Sequence, residues 1–290
     1  MQRHLVRHAA ASIAAMTMAF SVASCQKERV YESGEVLGRG VKLELWKAKH
    51  KNVEVLDLES ETIQTGMTHL RDYASSGAKF MHCADKLIRN VLEAALTQLP
   101  NDEDAVVTTP LGYKAKGVDY EDNVKVCGIA LCDDKLCTER LEHLLASTLP
   151  FDSTIGAIKL QDNAIATASL PDDLEESFVV LLHPDFASFE NVQPVIKLLL
   201  KKGVEPDHIQ VVSLVTCPAA ADQFCKVFPD VNLVTASYDA ASDSQGRIVP
   251  GIGNFEARYI GNDGPVSDEP PSVDPATEAT SGSSSWWPFK

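Results

Sequence analysis

A chain of 290 residues, 44% hydrophobic and 23% charged, has the composition of an ordinary globular protein with room for one sizeable α/β core or two small ones. Its formal charge of −15, without any stripe of Lys and Arg, excludes nucleic acid as a partner, because phosphate backbones need clustered cations. Seven cysteines, Cys25, Cys83, Cys127, Cys132, Cys137, Cys217 and Cys225, form no CxxC pair. The five-residue steps from Cys127 to Cys132 to Cys137 do not suggest zinc ligands, so no metal site is expected. Several lie in apolar runs, which reads as buried, reduced thiols and a reducing compartment.

Taken in chain order, residues 1–30 read as a targeting or unstructured segment. Residues 1–27 contain no acid and place Arg3, Arg7 and Lys27 around an apolar, Ala-rich stretch from Ala9 to Ala23. Three readings stay open: an organellar transit peptide, a secretory signal ending at Val22-Ala23-Ser24-Cys25, or an uncleaved start on a cytoplasmic protein. The stretch is too short and too small-residue-rich to span a bilayer, so no membrane association is expected once residues 1–25 are removed.

Residues 31–262 read as one domain. Leu87, Ile88, Val91, Leu92, Ala95 and Leu96 share one face, and the spacing predicts a helix over Ala84–Leu99, just before Pro100. Continuous apolar runs at Phe178–Leu182, Ile209–Val215 and Val231–Ala236 predict strands covered on both faces, as in a parallel sheet. Between the first two, Val192, Val195, Ile196, Leu199 and Leu200 form a helical stripe ending at Lys201, Lys202 and Gly203. Ligands of such sheets bind beyond the carboxyl ends of the strands, so the loops that matter open at His183, Thr216 and Tyr238. Residues 263–290 turn to Gly, Pro, Ser, Thr and acids and are expected to stay unfolded. They end in Trp286-Trp287-Pro288-Phe289-Lys290, either a tail without a role or a docking motif.

Several segments in order carry a resemblance. They are Phe80 to Arg89 (FMHCADKLIR), Leu99-Pro100, Val107 to Tyr113 (VTTPLGY) and Lys201 to Pro206 (KKGVEP). Val211 to Leu214, Phe228-Pro229-Asp230 and Gly246 to Gly253 (GRIVPGIG) complete the set. Over roughly residues 65–262 the chain resembles the eukaryotic uracil phosphoribosyltransferases. That resemblance implies an α/β, type I phosphoribosyltransferase-like fold with a mostly parallel core sheet flanked by helices and a small hood. Family members join uracil to 5-phosphoribosyl-1-pyrophosphate to give UMP and pyrophosphate, with Mg²⁺ on the leaving group. They are often dimers or tetramers and can be fused to uridine kinase.

The same alignment shows departures. The family's phosphate loop, roughly Asp-Pro-Met-Leu-Ala-Thr-Gly-Gly-Ser, falls on His183-Pro184-Asp185-Phe186-Ala187-Ser188-Phe189-Glu190-Asn191. His183 replaces the acid for the ribose hydroxyls, and Phe189 and Glu190 replace two glycines. Phe189 is expected to close the space and Glu190 to repel phosphate. At Cys132-Asp133-Asp134-Lys135 relatives carry an Arg, a small residue and a Gly that grip pyrophosphate. Here Lys135 is the one cation, and Asp133 with Asp134 reads either as exposed turn acids or as a Mg²⁺ pair. The lid segment, Gln161–Ser177, is short and holds five acids without a base. The uracil loop keeps Ile248, Val249, Pro250, Gly251, Ile252 and Gly253, while Asn254 replaces an Asp and Arg247 an aromatic.

Three functions follow as expectations. The first is a catalytically impaired pyrimidine-salvage relative that binds uracil or UMP, or partners a salvage enzyme or its own copy. The second is an active uracil phosphoribosyltransferase needing Mg²⁺, with Asp185 and Ser188 at the ribose phosphate, Lys135 at the pyrophosphate and Val249–Gly253 at uracil. The third is an adaptor that uses the Trp286-Trp287 tail.

Overall fold

The computed structural model describes residues 48, 50–239, 241–243 and 245–264. The proposed targeting segment with Cys25, and the aromatic tail, lie outside the described residues. The structure has a central sheet in the order β1-β10-β9-β7-β4-β5-β6, with a short β8 pairing alongside β9. Its strands are β1 (Val53–Val55), β4 (Lys125–Cys132), β5 (Thr154–Gln161), β6 (Ala164–Ser169), β7 (Ser177–Leu182), β8 (Asp185–Phe186), β9 (Ile209–Thr216) and β10 (Asn232–Tyr238). All pairings are parallel except β5 with β6.

The core strands are buried along nearly their whole length. Every residue of β9 is buried, as are Val179 to Leu182 of β7 and Val126 to Cys132 of β4. Such strands need helices on both faces. These are α1 (Glu61–Arg71), α2 (Gly77–Leu96), α3 (Lys135–Thr148), α4 (Phe189–Lys201) and α5 (Pro218–Val227). Gly128 lets β4 approach α3 closely, because a Cβ there would stand 2.5 Å from the Leu149 side chain. Helix α2 starts seven residues before the predicted Ala84, because Phe80 continues the apolar face backwards, and it ends at Leu96 rather than Leu99. The Thr97 hydroxyl closes the last turn on the Ala94 carbonyl at 2.6 Å.

The expected lid segment, Gln161–Ser177, contains the edge strand β6 and a turn of 3-10 helix at Leu174–Glu176. A second hairpin, β2 (Asn101–Thr108) with β3 (Lys114–Tyr120), is exposed along almost every residue. The small hood consists of the β11 (Ala241–Ser242) and β12 (Ile248–Val249) ladder and α6 (Phe255–Ile260). Helix α6 packs on α2 through Phe255 and Phe80, whose ring centroids are 6.0 Å apart. No helix among the described residues is long and apolar enough to cross a membrane.

Strand order reverses between β4 and β7, since the chain moves outward to β5 from one and to β9 from the other. Loops diverge at such a point and leave a crevice. The two that open there follow Cys132 and Leu182, whose strands pair in register with Ala130 opposite Leu182.

Candidate functional site

The loop after β7 does not form an open cradle. His183 and Pro184 run beside β9: His183 N–H donates to the Val212 carbonyl (2.9 Å), and the Pro184 carbonyl accepts from Leu214 N–H (2.9 Å). Asp185 and Phe186 then pair with Val215 and Thr216 as β8. The chain has made sheet where the family loop would hold phosphate, and apolar residues explain why. Phe186 is fully buried against Phe224, edge to face at 5.8 Å.

Phe189 corrects the sequence expectation. It does not close the anion space but turns into the core, packing on Phe228 at 5.9 Å. Ser188 is the N-cap of α4, and its hydroxyl accepts from Glu190 N–H at 3.2 Å and donates to the Glu190 carboxylate. The helix start is therefore capped by its own exposed side chains rather than left open for an anion. Asn191 keeps a buried side-chain oxygen with no hydrogen-bond partner.

Asp185 sits among other acids. Burial pushes its carboxyl up to about 6, and the charges of Glu256 and Asp239 push in the same direction. Because the folded pKa lies above the unfolded value of about 3.9, the folded chain holds the extra proton. Asp185 therefore costs stability as pH rises from about 4 to about 7. Asp185→Asn, which keeps the shape without the charge, should gain about 2–3 kcal/mol at pH 8 and almost nothing at pH 4, read as urea midpoints at both pH values. Equal effects at both would mean that Asp185 ionises freely.

The loop after β4 carries the feature that sequence reasoning missed. Glu256, in the first turn of α6, reaches across and accepts from both Asp133 N–H (2.9 Å) and Asp134 N–H (2.8 Å), one on each carboxylate oxygen. The contact joins residues more than 120 positions apart, and the only signal in the sequence was an acid in the first turn of a short helix.

The other residues of this loop have structural roles. Asp134 caps α3, accepting from Leu136 N–H (2.7 Å) and Cys137 N–H (3.0 Å). Lys135 does not reach toward the strand ends. It is exposed and lies 3.6 Å from Glu139 along α3. With Asp134 serving as a cap, the paired-acid Mg²⁺ reading does not fit, and Lys135 as the pyrophosphate cation does not fit either. Cys132 and Cys137, despite their spacing, bring their sulfurs to 2.9 Å. Burial also holds His183 below the usual histidine range, so its imidazole is neutral at pH 7.

The uracil segment forms a tight turn. Val249-Pro250 is cis, and Gly251 adopts φ +60°, where a Cβ would stand 2.3 Å from the Ile248 carbonyl oxygen. No other residue fits there. Gly251 N–H donates to Asp239 Oδ2 at 2.8 Å, and Asp239 also accepts from Nη1 and Nη2 of Arg71. Gly253 is likewise left-handed at φ +72°. Ile248 and Ile252 are buried in the core, and Val249 lies in β12 opposite Ala241. Asn254 caps α6 by accepting from Ala257 N–H at 3.1 Å, which accounts for it without a ligand. Arg247 is held by Asp243 at 2.7 Å.

A mostly parallel sheet flanked by helices, with a hood over its carboxyl end, defines a type I phosphoribosyltransferase fold. The AQ2163 protein of Aquifex aeolicus superposes with a TM-score of 0.60 at 18% identity, covering 72% of this chain and 98% of that one. The family model described as uracil phosphoribosyltransferase matches residues 58–261. The uracil phosphoribosyltransferase homolog of Danio rerio is 30% identical over 210 residues, which is 70% of this chain and 76% of that protein. The human homolog is also 30% identical over 210 residues, covering 63% of its length. Uridine/cytidine kinase UKL1, chloroplastic, of Arabidopsis thaliana is 34% identical over 201 residues, and the match spans only 40% of that kinase. The chain belongs to the uracil phosphoribosyltransferase family.

Proposed function

We propose that this chain is a non-catalytic member of its family that keeps a pyrimidine-binding turn and has given up phosphoribosyl pyrophosphate. The observation that carries this reading is the Glu256 carboxylate on the N–H groups of Asp133 and Asp134. By the family alignment, that is where pyrophosphate is gripped. A fixed internal anion there competes with any phosphate for the same donors. It also repels one by about 4 kcal/mol per unit charge at 4 Å in partly screened surroundings.

The surroundings reinforce the effect. Asp185 and Asp239 add carboxylates close enough to Glu256 to raise the proton affinity of Asp185. The nearby Arg71 is committed to Asp239 at 2.8 Å. Phosphoryl and pyrophosphoryl ligands are held by cations and free N–H groups, and each is already answered here. The turn at Ile248–Gly253 needs only main-chain geometry to present amide edges, and the Gly251 conformation supports that part of the family's chemistry. A regulatory partner for an active salvage enzyme, or a uracil sensor, fits these features.

Calorimetry with phosphoribosyl pyrophosphate plus Mg²⁺, with uracil and with UMP tests the reading. No heat with the pyrophosphate compound is expected, along with measurable heat with uracil. Glu256→Gly combined with Cys132→Arg should raise phosphoribosyl pyrophosphate affinity by at least about tenfold, because one change frees two donors and the other supplies a cation. Formation of UMP from uracil by the unmodified protein at an ordinary enzymatic rate would defeat the proposal.

A further inference from the structure

We propose that Cys132, Cys137 and Glu256 form a binding site for one thiophilic divalent cation of the zinc class. The two Sγ atoms and a carboxylate oxygen of Glu256 all lie within 4.8 Å of one another. Both cysteines are buried, at 2% and 0% exposed. Cys132 ends β4 and Cys137 lies in the first turn of α3, so a tight strand-to-helix turn brings a C-x4-C pair together. The five-residue step did not suggest zinc in the sequence, yet C-x4-C is the upper limit of zinc-motif spacing and the turn brings the two sulfurs together. Tetrahedral zinc with Zn–S bonds of about 2.3 Å needs sulfurs roughly 3.8 Å apart, and the pair at 2.9 Å requires a movement of under about 1 Å to accept it.

A further observation points to an ion rather than a simple thiol pair. The Glu256 carboxylate is oriented by two backbone N–H groups, the kind of outer hydrogen bonding that aims metal ligands, and each oxygen keeps a lone pair. The His183 ring, whose Nδ1 lies 3.3 Å from the carbonyl of Leu131, is not among the groups within 4.8 Å of one another, so the fourth coordination position is left to water.

On binding, the two thiols release their protons to solvent while two metal–sulfur bonds and one metal–oxygen bond form. No electrons are exchanged. The ion would tie the end of β4, the first turn of α3 and the start of α6 together at the mouth of the crevice. This proposal stands whether or not phosphoribosyl pyrophosphate binds.

The full-length protein, reduced, stripped with a chelator and then titrated with Co²⁺ and with Zn²⁺, provides the test. One ion per chain is expected, with a sulfur-to-cobalt charge-transfer band in the near ultraviolet and a native mass raised by one zinc. Cys132→Ser and Cys137→Ser should each weaken that band and lower affinity, and Glu256→Gln should lower affinity by at least about tenfold while keeping the band. Cys225→Ser, remote in sequence and also buried, should change nothing. Absence of a thiolate band in the unmodified protein would overturn the proposal without recourse to any variant. So would undiminished binding in folded Cys137→Ser, or a native mass lower by two hydrogens, which marks a disulfide.

Discussion

Asp239→Ala is expected to lower the unfolding free energy by about 3–5 kcal/mol, the usual cost of removing one partner from a buried ion pair. Asp239 is 4% exposed and Arg71 15%. The carboxylate accepts from Arg71 Nη1 at 3.0 Å and Nη2 at 2.8 Å, and from Gly251 N–H at 2.8 Å. Arg71 Nη2 also donates to Ser237 Oγ, which donates in turn to Asp57 Oδ2 at 2.7 Å. Deleting the carboxylate strands a buried guanidinium and frees the Ile248–Gly253 turn. Asp239→Asn keeps the shape and one acceptor, so a smaller loss of about 1–3 kcal/mol is expected. Urea unfolding followed by circular dichroism measures both. A loss below about 1 kcal/mol for the Ala variant would mean that the hood is anchored elsewhere.

Arg258→Ala is expected to cost about 3 kcal/mol or more, for a different reason. Its Nη1 donates to the carbonyls of Leu70 and Ile252, both at 2.6 Å, and its Nη2 to those of Asp72 at 2.8 Å and Ser75 at 2.7 Å. The guanidinium also lies over the Phe80 ring, 4.1 Å from its centroid. One planar fork thus joins the end of α1, the start of α2 and the hood. Arg258→Lys should recover little, because an ammonium cannot reach four carbonyls in that geometry. If the Lys variant unfolds at the same urea concentration as the wild type, charge rather than geometry holds this junction.

The parallel sheet was legible because β7, β9 and β10 are buried on both faces, which writes continuous apolar runs into the chain. Helix α4 was legible through its stripe from Val192 to Leu199 and its end at Gly203. The start of α2 was less so, since Ser75, Ser76 and Gly77 resemble a loop until Phe80 is seen to extend the buried face. At the carboxyl ends of the strands, sequence reasoning singled out the loops after β4 and β7 but misjudged what their residues pack against. Phe189 was expected in a pocket, but apolar volume goes where it can be buried, and Phe228 offered that place. Asp134 and Asn254 stood out as changed ligands, yet each sits where a helix begins, and the orphan N–H groups there claim such side chains. The Glu256 contact depends on tertiary placement, which no local pattern encodes, whereas the Cys132–Cys137 meeting depends on the tight turn from β4 into α3.

The bridge from Glu256 to the loop after β4 is received entirely by main-chain N–H groups. Side-chain replacements at Asp133 and Asp134 would leave those donors in place, so scanning that loop with alanine would register little beyond the lost helix cap. The whole interaction is addressable through a single codon, on the far side of the chain from the segment it occupies. A lineage could therefore gain or lose this internal anion in one step without disturbing the loop's own sequence, and relatives with similar loops could differ sharply in what they bind.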